Sequence, residues 1–417
     1  MNEAKEHKPL RSVLWLLTVG HGLTHWYPAT FYLLLPLIGM ELGLSLSYSQ
    51  IGLAMTCQFI AGALANVPGG MLVDTVGKKG GLLALSLFWV GFPYLIIGLS
   101  NTYWMLLVCI SLVGVGNNLW HPAAIQTLAH RFPERKGLAL SVHSMGGNVG
   151  DALAPLAIGA LLVTFTWREI VVMNVVPGVF MGCLILLYLG TLRFGAGNQA
   201  SGTAAEGQSV GEYVRGLRKL FSNRTLIMLS VSSAFRSLTQ NTLLTFLSLF
   251  LAYEMHYSPL WVGAGMFVLH AAGLAGLPIA GHLSDTMGRR RIIMTSMAMT
   301  AVVLSVMAFT GPSQAIIPLI AFLGLFLYAI LPVMQAMLLD ATPKKMGGTS
   351  IGMLFGMQSA GSSVGPIIGG MLADLYGLPA TFHFLAMSIV LAGLFIFFVP
   401  TLSAVGKGCT EKADAIP

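Results

Sequence analysis

Charge is the first thing this sequence lacks. Asp, Glu, Lys and Arg make up 9% of its 417 residues, where a soluble domain carries about 25%. So few charges cannot cover the surface of a soluble domain of this size, whereas lipid asks for no such cover. Cysteine is sparse too. Cys57, Cys109, Cys183 and Cys409 have neither paired nor metal-ligand spacing, and three fall inside apolar stretches, where a thiol acts as a small hydrophobe. The alternating ten-residue segments of a membrane barrel are missing. So is any phosphate-cradling loop, which excludes an ATP-driven pump. No catalytic grouping or cofactor motif emerges, so the chain is expected to be no enzyme and to need no cofactor. Met1 to Leu10 is polar and lacks the apolar core of a cleavable leader, and the first apolar run is expected to stay.

What is there is hydrophobicity, 55% of residues, with a mean hydropathy of +0.79. Runs of about 20 apolar residues recur, each long enough to cross a hydrocarbon core of about 30 Å. Backbone at that depth must satisfy its own hydrogen bonds, so the runs are expected to be helices. Apolar runs read against breakers predict twelve spans, near 13–38, 50–73, 80–99, 103–129, 137–164 and 169–192, then 225–252, 259–283, 291–311, 314–339, 349–373 and 378–400. The expected organisation is a polar N-terminus 1–12, a first six-helix bundle 13–192, a linker 193–223, a second bundle 224–400 and a tail 401–417. The linker's basic stretch, Tyr213 to Lys219, is expected to lie as a short interfacial helix, serving as a tether or as a lipid-sensing element.

Of the 22 Lys and Arg residues, 20 fall in the termini and the loops that follow even-numbered spans. The exceptions are Arg168 in an opposite loop and Arg236 inside span 7. The positive-inside rule then places both termini in the cytoplasm. The formal charge of +7 sits in short loops rather than on one soluble face, which argues against nucleic acid as a partner. The partner expected instead is the lipid bilayer.

The halves repeat. Gly70, Asp74, Gly77, Lys78 and Lys79 match Gly281, Asp285, Gly288, Arg289 and Arg290 at an offset of 211, and the same offset maps Gly150 onto Gly361, Pro155 onto Pro366 and Gly159 onto Gly370. A duplicated six-helix unit points to a transporter, with its substrate site between the halves near mid-membrane.

The doubled loop motif, Gly-x-x-x-Asp-x-x-Gly followed by two basic residues, resembles that of the major facilitator superfamily, and the resemblance covers essentially the whole chain. It implies an all-α fold of two pseudo-symmetric six-helix bundles, with helices 1, 4, 7 and 10 around a central cavity. It assigns the ten loop residues to gating and topology. The acid would sit against the positive N-terminus of a neighbouring helix in one access state. Span 11, with Gly352, Gly361, Gly365, Pro366, Gly369 and Gly370, resembles the antiporter motif that drug/proton exchangers of the superfamily carry on helix 5. Small residues at that spacing let helices approach closely, and Gly361, Gly365 and Pro366 join the gating candidates. Span 5 keeps only part of the motif, with Ala154 where glycine is expected.

A narrower resemblance lies in Gly114-Val-Gly116-Asn117-Asn118-Leu-Trp120-His121-Pro122, in Gly146-Gly147-Asn148-Val-Gly150, and in His21 and Pro36. These look like the fosmidomycin-resistance family of bacterial efflux proteins, which implies the inner membrane of a bacterium. Four residues after His21 that family tends to carry an acid; here stands His25.

An ionisable residue inside a span is a functional candidate by default. Arg236 needs a counter-charge, either an anionic substrate or Asp151. Asp151, well inside span 5, either titrates as a proton-coupling group or stands in a static pair. His21 and His25 lie one turn apart on span 1, with His121 deep in span 4, and imidazole exchanges protons near neutral pH. His25 and His121 join Asp151 as proton-coupling candidates. No acid or Cys stands at metal-ligand spacing from the histidine pair, so no metal is expected. Asn117, Asn118, Gln240, Asn241, Tyr328 and Gln335 are candidate cavity lining, and with His21, His25 and His121 they are candidate substrate-binding residues. Trp26 either stacks on a ligand or faces lipid. The functional expectation is export of a small anionic or amphiphilic molecule in exchange for protons, by a monomer. The alternative is proton-independent exchange or uptake of an anionic metabolite or lysolipid. A non-transporting scaffold or sensor would call for soluble appendages, and the tails are short.

Overall fold

The computed structural model describes residues 10–42, 47–75, 79–190, 222–310, 313, 315–342 and 347–399. Among them lie twelve long helices: α1 (Leu10–Glu41), α2 (Tyr48–Thr75), α3 (Lys79–Leu99), α4 (Tyr103–Arg131), α5 (Lys136–Leu161), α6 (Trp167–Leu189), α7 (Arg224–Leu249), α8 (Pro259–Met287), α9 (Arg289–Phe309), α10 (Ile316–Asp340), α11 (Gly347–Tyr376) and α12 (Leu378–Phe397). They follow the predicted spans to within a few residues at each end. Two details differ from the prediction. Helix α6 is interrupted at Asn174, and α7 runs on into a π-helical turn, Phe250–Glu254. Residues 191–221, and with them most of the predicted linker and its interfacial helix, lie outside the described residues. So do residues 1–9 and 400–417 of the predicted termini.

Helix ends follow local chemistry. The Thr102 side chain accepts from the backbone N–H of Met105 to open α4, and Asn223 does the same for Thr225 and Leu226 at α7. Thr166 and Glu169 form a reciprocal capping box at α6. Gly288 turns α8 into α9 with φ near +93°, a conformation only glycine adopts without strain.

Seven of these helices are long and apolar enough to span a membrane by composition alone: α3, α4, α6, α8, α9, α10 and α12. Helices α1 and α7 are equally long but bury polar groups. His21, Thr24 and Thr30 are buried on α1; Ser230, Ser232, Ser233, Arg236, Ser237, Thr239, Thr242, Thr245 and Ser248 are buried on α7. The α7 hydroxyls pack it onto its neighbours: Ser232 donates to the carbonyl of Ala392, and Ser237 meets Ser362 at 2.8 Å. In hydrocarbon such bonds and small side chains hold helices together, because apolar contact alone gains nothing over lipid.

In the first bundle α1 packs on α5, α2 on α4, and α3 on α4 and α6; in the second α7 packs on α11 and α12, and α8 on α10. The bundles meet mainly along α2–α11 and α5–α8. Both crossings use the same residues under the 211-residue offset. A Cβ on Gly52 would strike the carbonyl of Pro366, and one on Gly263 the carbonyl of Pro155. Gly370 abuts Tyr48 as Gly159 abuts Pro259. Of the predicted close-packing residues, Pro155 and Gly159 on α5 and Pro366 and Gly370 on α11 stand where the halves meet, while Gly150 and Gly361 pack within their own bundles.

These contacts lie at one end of the molecule, where α1 finishes and α2 starts. There the Asp374 carboxylate at the end of α11 accepts from the backbone N–H groups of Tyr48 (2.5 Å) and Ser49 (3.0 Å), capping α2 from the other bundle. Tyr253 donates to the carbonyl of Pro36 at 2.6 Å, tying α7 to α1. At the same end Glu41 accepts from Trp167 and pairs with Arg168 at 2.8 Å, which holds its carboxyl below the ordinary value of 4.5. The Arg168 guanidinium also donates to the carbonyls of Gly98 (3.0 Å) and Ser100 (2.7 Å). These hydrogen bonds and the glycine-lined crossings hold the two bundles together at this end and close it.

Candidate functional site

The crossing of α1 and α5 is built on glycine. A Cβ on Gly146 would strike the carbonyl of Thr18, and one on Gly150 that of Gly22. Backbones this close leave the flanking side chains no choice but to interleave, and the residues flanking these glycines are His21, His25, His143 and Asp151.

His25 Nδ1 lies 2.8 Å from Asp151 Oδ2. The acid missing from α1 four residues after His21 is thus supplied from α5. Arg236 is not its partner, which corrects the sequence-based alternative of an Arg236–Asp151 pair. Both side chains stand midway along their helices yet keep 31% and 25% of their surface accessible, so a cleft reaches them. Asp151 also lies within electrostatic reach of Tyr32 on α1 and of Tyr328 on α10.

Three further imidazoles gather beside the pair. His21 stands edge-on to His25 with ring centroids 4.7 Å apart and edge-on to His121 at 5.1 Å, and it stacks on His143 at 4.1 Å. His21 Nδ1 is 2.7 Å from the carbonyl oxygen of His143, and His143 Nδ1 is 3.1 Å from that of Leu17. An imidazole nitrogen facing a carbonyl must carry the proton. That leaves Nε2 of each as an acceptor, buried and without a partner. His143 is absent from the predicted site. The signal was its place near the start of the Gly-rich α5 run, and only the crossing shows that it stacks on His21.

Across the interface Arg236 is 3% exposed. Its NH1 donates to Gln240 Oε1 at 2.5 Å, and its Nε has no partner. Among the described residues no carboxylate pairs with it. Tyr328, with Gln240 beside its hydroxyl, lies within electrostatic reach of both Arg236 and Asp151. Asn117 buries an unpartnered amide oxygen beside His121 on α4.

Other predicted lining residues are used differently. Asn118 donates to the carbonyl of Gly114 on its own helix at 2.9 Å, and Asn241 donates to Ser362 at 2.8 Å, joining α7 to α11. The Trp26 indole donates to Asn174 at 2.8 Å and so faces α6. Gln335 is half-buried on α10.

The gating motifs divide. Gly70 and Asp74 belong to α2, with side chains outside what is described, and Gly77 and Lys78 lie outside the described residues. Lys79 donates to Gln126 at 2.5 Å. In the second copy Arg289 pairs with Asp340 at 2.8 Å, Arg290 donates to the carbonyls of Val399 (3.1 Å) and Phe397, and Asp285 is exposed. Gly281 and Gly288 frame that loop. Gly361 lies on the backbone of Ala234, Gly365 on Thr242, and Pro366 on Gly52.

A chain that threads a membrane repeatedly, in two six-helix bundles closed at one end over an accessible polar site, has the construction of a secondary transporter. It belongs to the Major Facilitator Superfamily, whose family model matches residues 14–274 and 229–414. Over 380 residues it is 25% identical to "Multidrug resistance protein MdtG" of Yersinia enterocolitica, covering 89% of each chain. Over 360 residues it is 27% identical to "Multidrug efflux pump Tap" of Mycolicibacterium fortuitum, covering 84% of each. Its fold matches the crystal structure of a bacterial homolog to the human lysosomal transporter Spinster in an inward-facing and occupied conformation. The TM-score is 0.80 at 19% identity, over 94% of this chain and 97% of that one.

Proposed function

We propose that the protein exports a small anionic or amphiphilic molecule in exchange for protons, by rocking its two bundles about the site between them. The observation that carries the reading is Arg236. A guanidinium buried to 3% exposure with one amide oxygen as its named partner is costly unless an anion joins it. Its planar fork suits a carboxylate, phosphate or phosphonate.

The coupling group in this reading is the His25–Asp151 pair, with His21, His121 and His143 beside it and Tyr32 and Tyr328 within electrostatic reach of the carboxylate. It takes up a proton when the site opens outward and gives it up when the site opens to the cytoplasm, where the cargo loads onto Arg236. The concentration of Lys and Arg at the end where α1 starts supports a cytoplasmic location for that end, and the closed end would then face outward. The names of the relatives MdtG and Tap, a multidrug resistance protein and a multidrug efflux pump, support the export direction. The motifs on α1, α4 and α5 favour a place beside the fosmidomycin-resistance type of efflux protein in a bacterial inner membrane. In the same reading a monomer suffices, and the linker and both tails are cytoplasmic.

Proteoliposomes with an imposed pH gradient test this. Export should follow the gradient and lose that dependence in Asp151→Asn. Transport indifferent to the gradient, with Asp151→Asn merely less stable, would favour the alternative of proton-independent exchange or uptake of an anionic metabolite or lysolipid.

A further inference from the structure

We infer that His21, His25 and His121 form a three-histidine site for a divalent transition-metal ion of the imidazole-preferring class, such as zinc or cobalt. One ring nitrogen from each lies within 4.8 Å of the others. Tetrahedral ligands about 2.0–2.1 Å from an ion stand roughly 3.3 Å apart, so small rotamer adjustments draw these rings onto one centre.

The hydrogen bonds already prepare the ligand atoms. His21 commits its Nδ1 proton to the carbonyl of His143, and its Nε2 is buried with no partner. His25 commits its Nδ1 proton to Asp151, which leaves its Nε2 lone pair free. A metal-ligating histidine characteristically donates its other N–H to a carbonyl or carboxylate, which fixes the tautomer and raises the basicity of the ligating nitrogen. Both supporting groups stand in place without any ion. The carboxylate one ring away also offsets part of a dication's charge.

Space is provided as well. A Cβ on Gly147 would lie 2.8 Å from His21 Cε1 and 3.0 Å from His25 Nε2, so glycine there keeps open the side of the cluster where the nitrogens converge. His143, stacked at 4.1 Å, holds the plane of His21. Three neutral nitrogens select against magnesium and calcium, which take oxygen ligands, and leave a fourth position for water or an anionic ligand atom. The inference stands on ring geometry and does not rest on the export reading.

The test uses the purified full-length protein, free of any affinity histidine tag, titrated with cobalt(II) and zinc(II) chloride. One equivalent of cobalt should bind with the visible spectrum of a tetrahedral ion, zinc should displace it, and magnesium should not. His121→Asn should weaken binding at least tenfold, and Asp151→Asn, acting through His25, by about 10–100-fold. Gly147→Ala should weaken it without removing a ligand, while His270→Asn, outside the cluster, should change nothing. Where a variant fails to fold, zinc-edge X-ray absorption of the unaltered protein decides, with imidazole back-scattering expected. No stoichiometric binding, an octahedral cobalt spectrum, or affinity unmoved by His121→Asn overturns the site. Any of these results alongside intact gradient-driven export sinks this inference alone.

Discussion

His25 on α1 donates to the carboxylate of Asp151 on α5 across 2.8 Å, at a crossing narrowed by Gly22, Gly146 and Gly150. The second bundle has a different bond at the matching place. There Ser362, the counterpart of Asp151 under the repeat, meets Ser237 and Asn241 on α7. One bundle therefore holds a titratable pair where the other holds neutral hydroxyl and amide bonds. The duplicated scaffold is symmetric; the chemistry placed on it is not.

The pair should behave as a unit. Asp151→Asn or His25→Gln alone is expected to cost about 1–2 kcal/mol of stability, because each leaves the other partner unsatisfied. The double variant should cost less than the sum of the two. Thermal unfolding of the four proteins in one detergent, read as a double-mutant cycle, checks this.

Arg236 should oppose stability and favour binding. Arg236→Met removes a buried charge that has no carboxylate partner among the described residues, and is expected to raise the Tm of the ligand-free protein. The same change should weaken binding of an anionic ligand by about 2 kcal/mol or more, roughly thirtyfold in Kd. A thermal-shift screen of anionic compounds on both proteins reads the two effects together. A fall in Tm without ligand would mean that the guanidinium is already compensated.

The closed end should open when its latch is cut. Asp374 caps α2 from the other bundle through two backbone N–H groups. Losing such a cap costs about 1 kcal/mol, a severalfold shift in the balance between access states. Gly263→Val should shift it further, since a side chain there meets the Pro155 backbone. Electron-spin distances between labels at residues 47 and 376 should lengthen in Asp374→Ala and again in Gly263→Val. Unchanged distances would show that these contacts do not hold the end shut.

Glu41 adds a pH signature. Its carboxyl is held below 4.5 first by the hydrogen bond from Arg168, with Trp167 adding to it. A depressed acid stabilises the fold above its unfolded pKa and loses that contribution as the pH falls through the folded value. The pair is substantially exposed, so the whole effect should stay within about 1 kcal/mol. Glu41→Gln should lower the Tm slightly at pH 7, and the gap should close as the pH drops below 4.5. A gap that widened on acidification would mean the carboxyl is not held down by its partners.

Much of this molecule was legible beforehand because membrane burial imposes one-dimensional rules. Apolar run length marks the helices, and a fixed offset marks the duplication. Glycine spacing foretold that α5 and α11 pack closely, since a missing Cβ matters wherever backbones touch. The functional side chains were legible only as candidates. Arg236 and Asp151 are visible as charges inside spans, but a sequence does not say which partner each one meets.

By itself, then, the sequence determined the number of helices, their repeat and the positions where helices pack closely, because these depend on local hydrophobicity and residue size. Only the tertiary structure decided that Asp151 pairs with His25 rather than Arg236, that His143 stacks on His21, and that three imidazoles from α1 and α4 converge. Those outcomes depend on how helices cross. At a crossing set by glycines, residues 126 positions apart in the chain come within one hydrogen bond of each other.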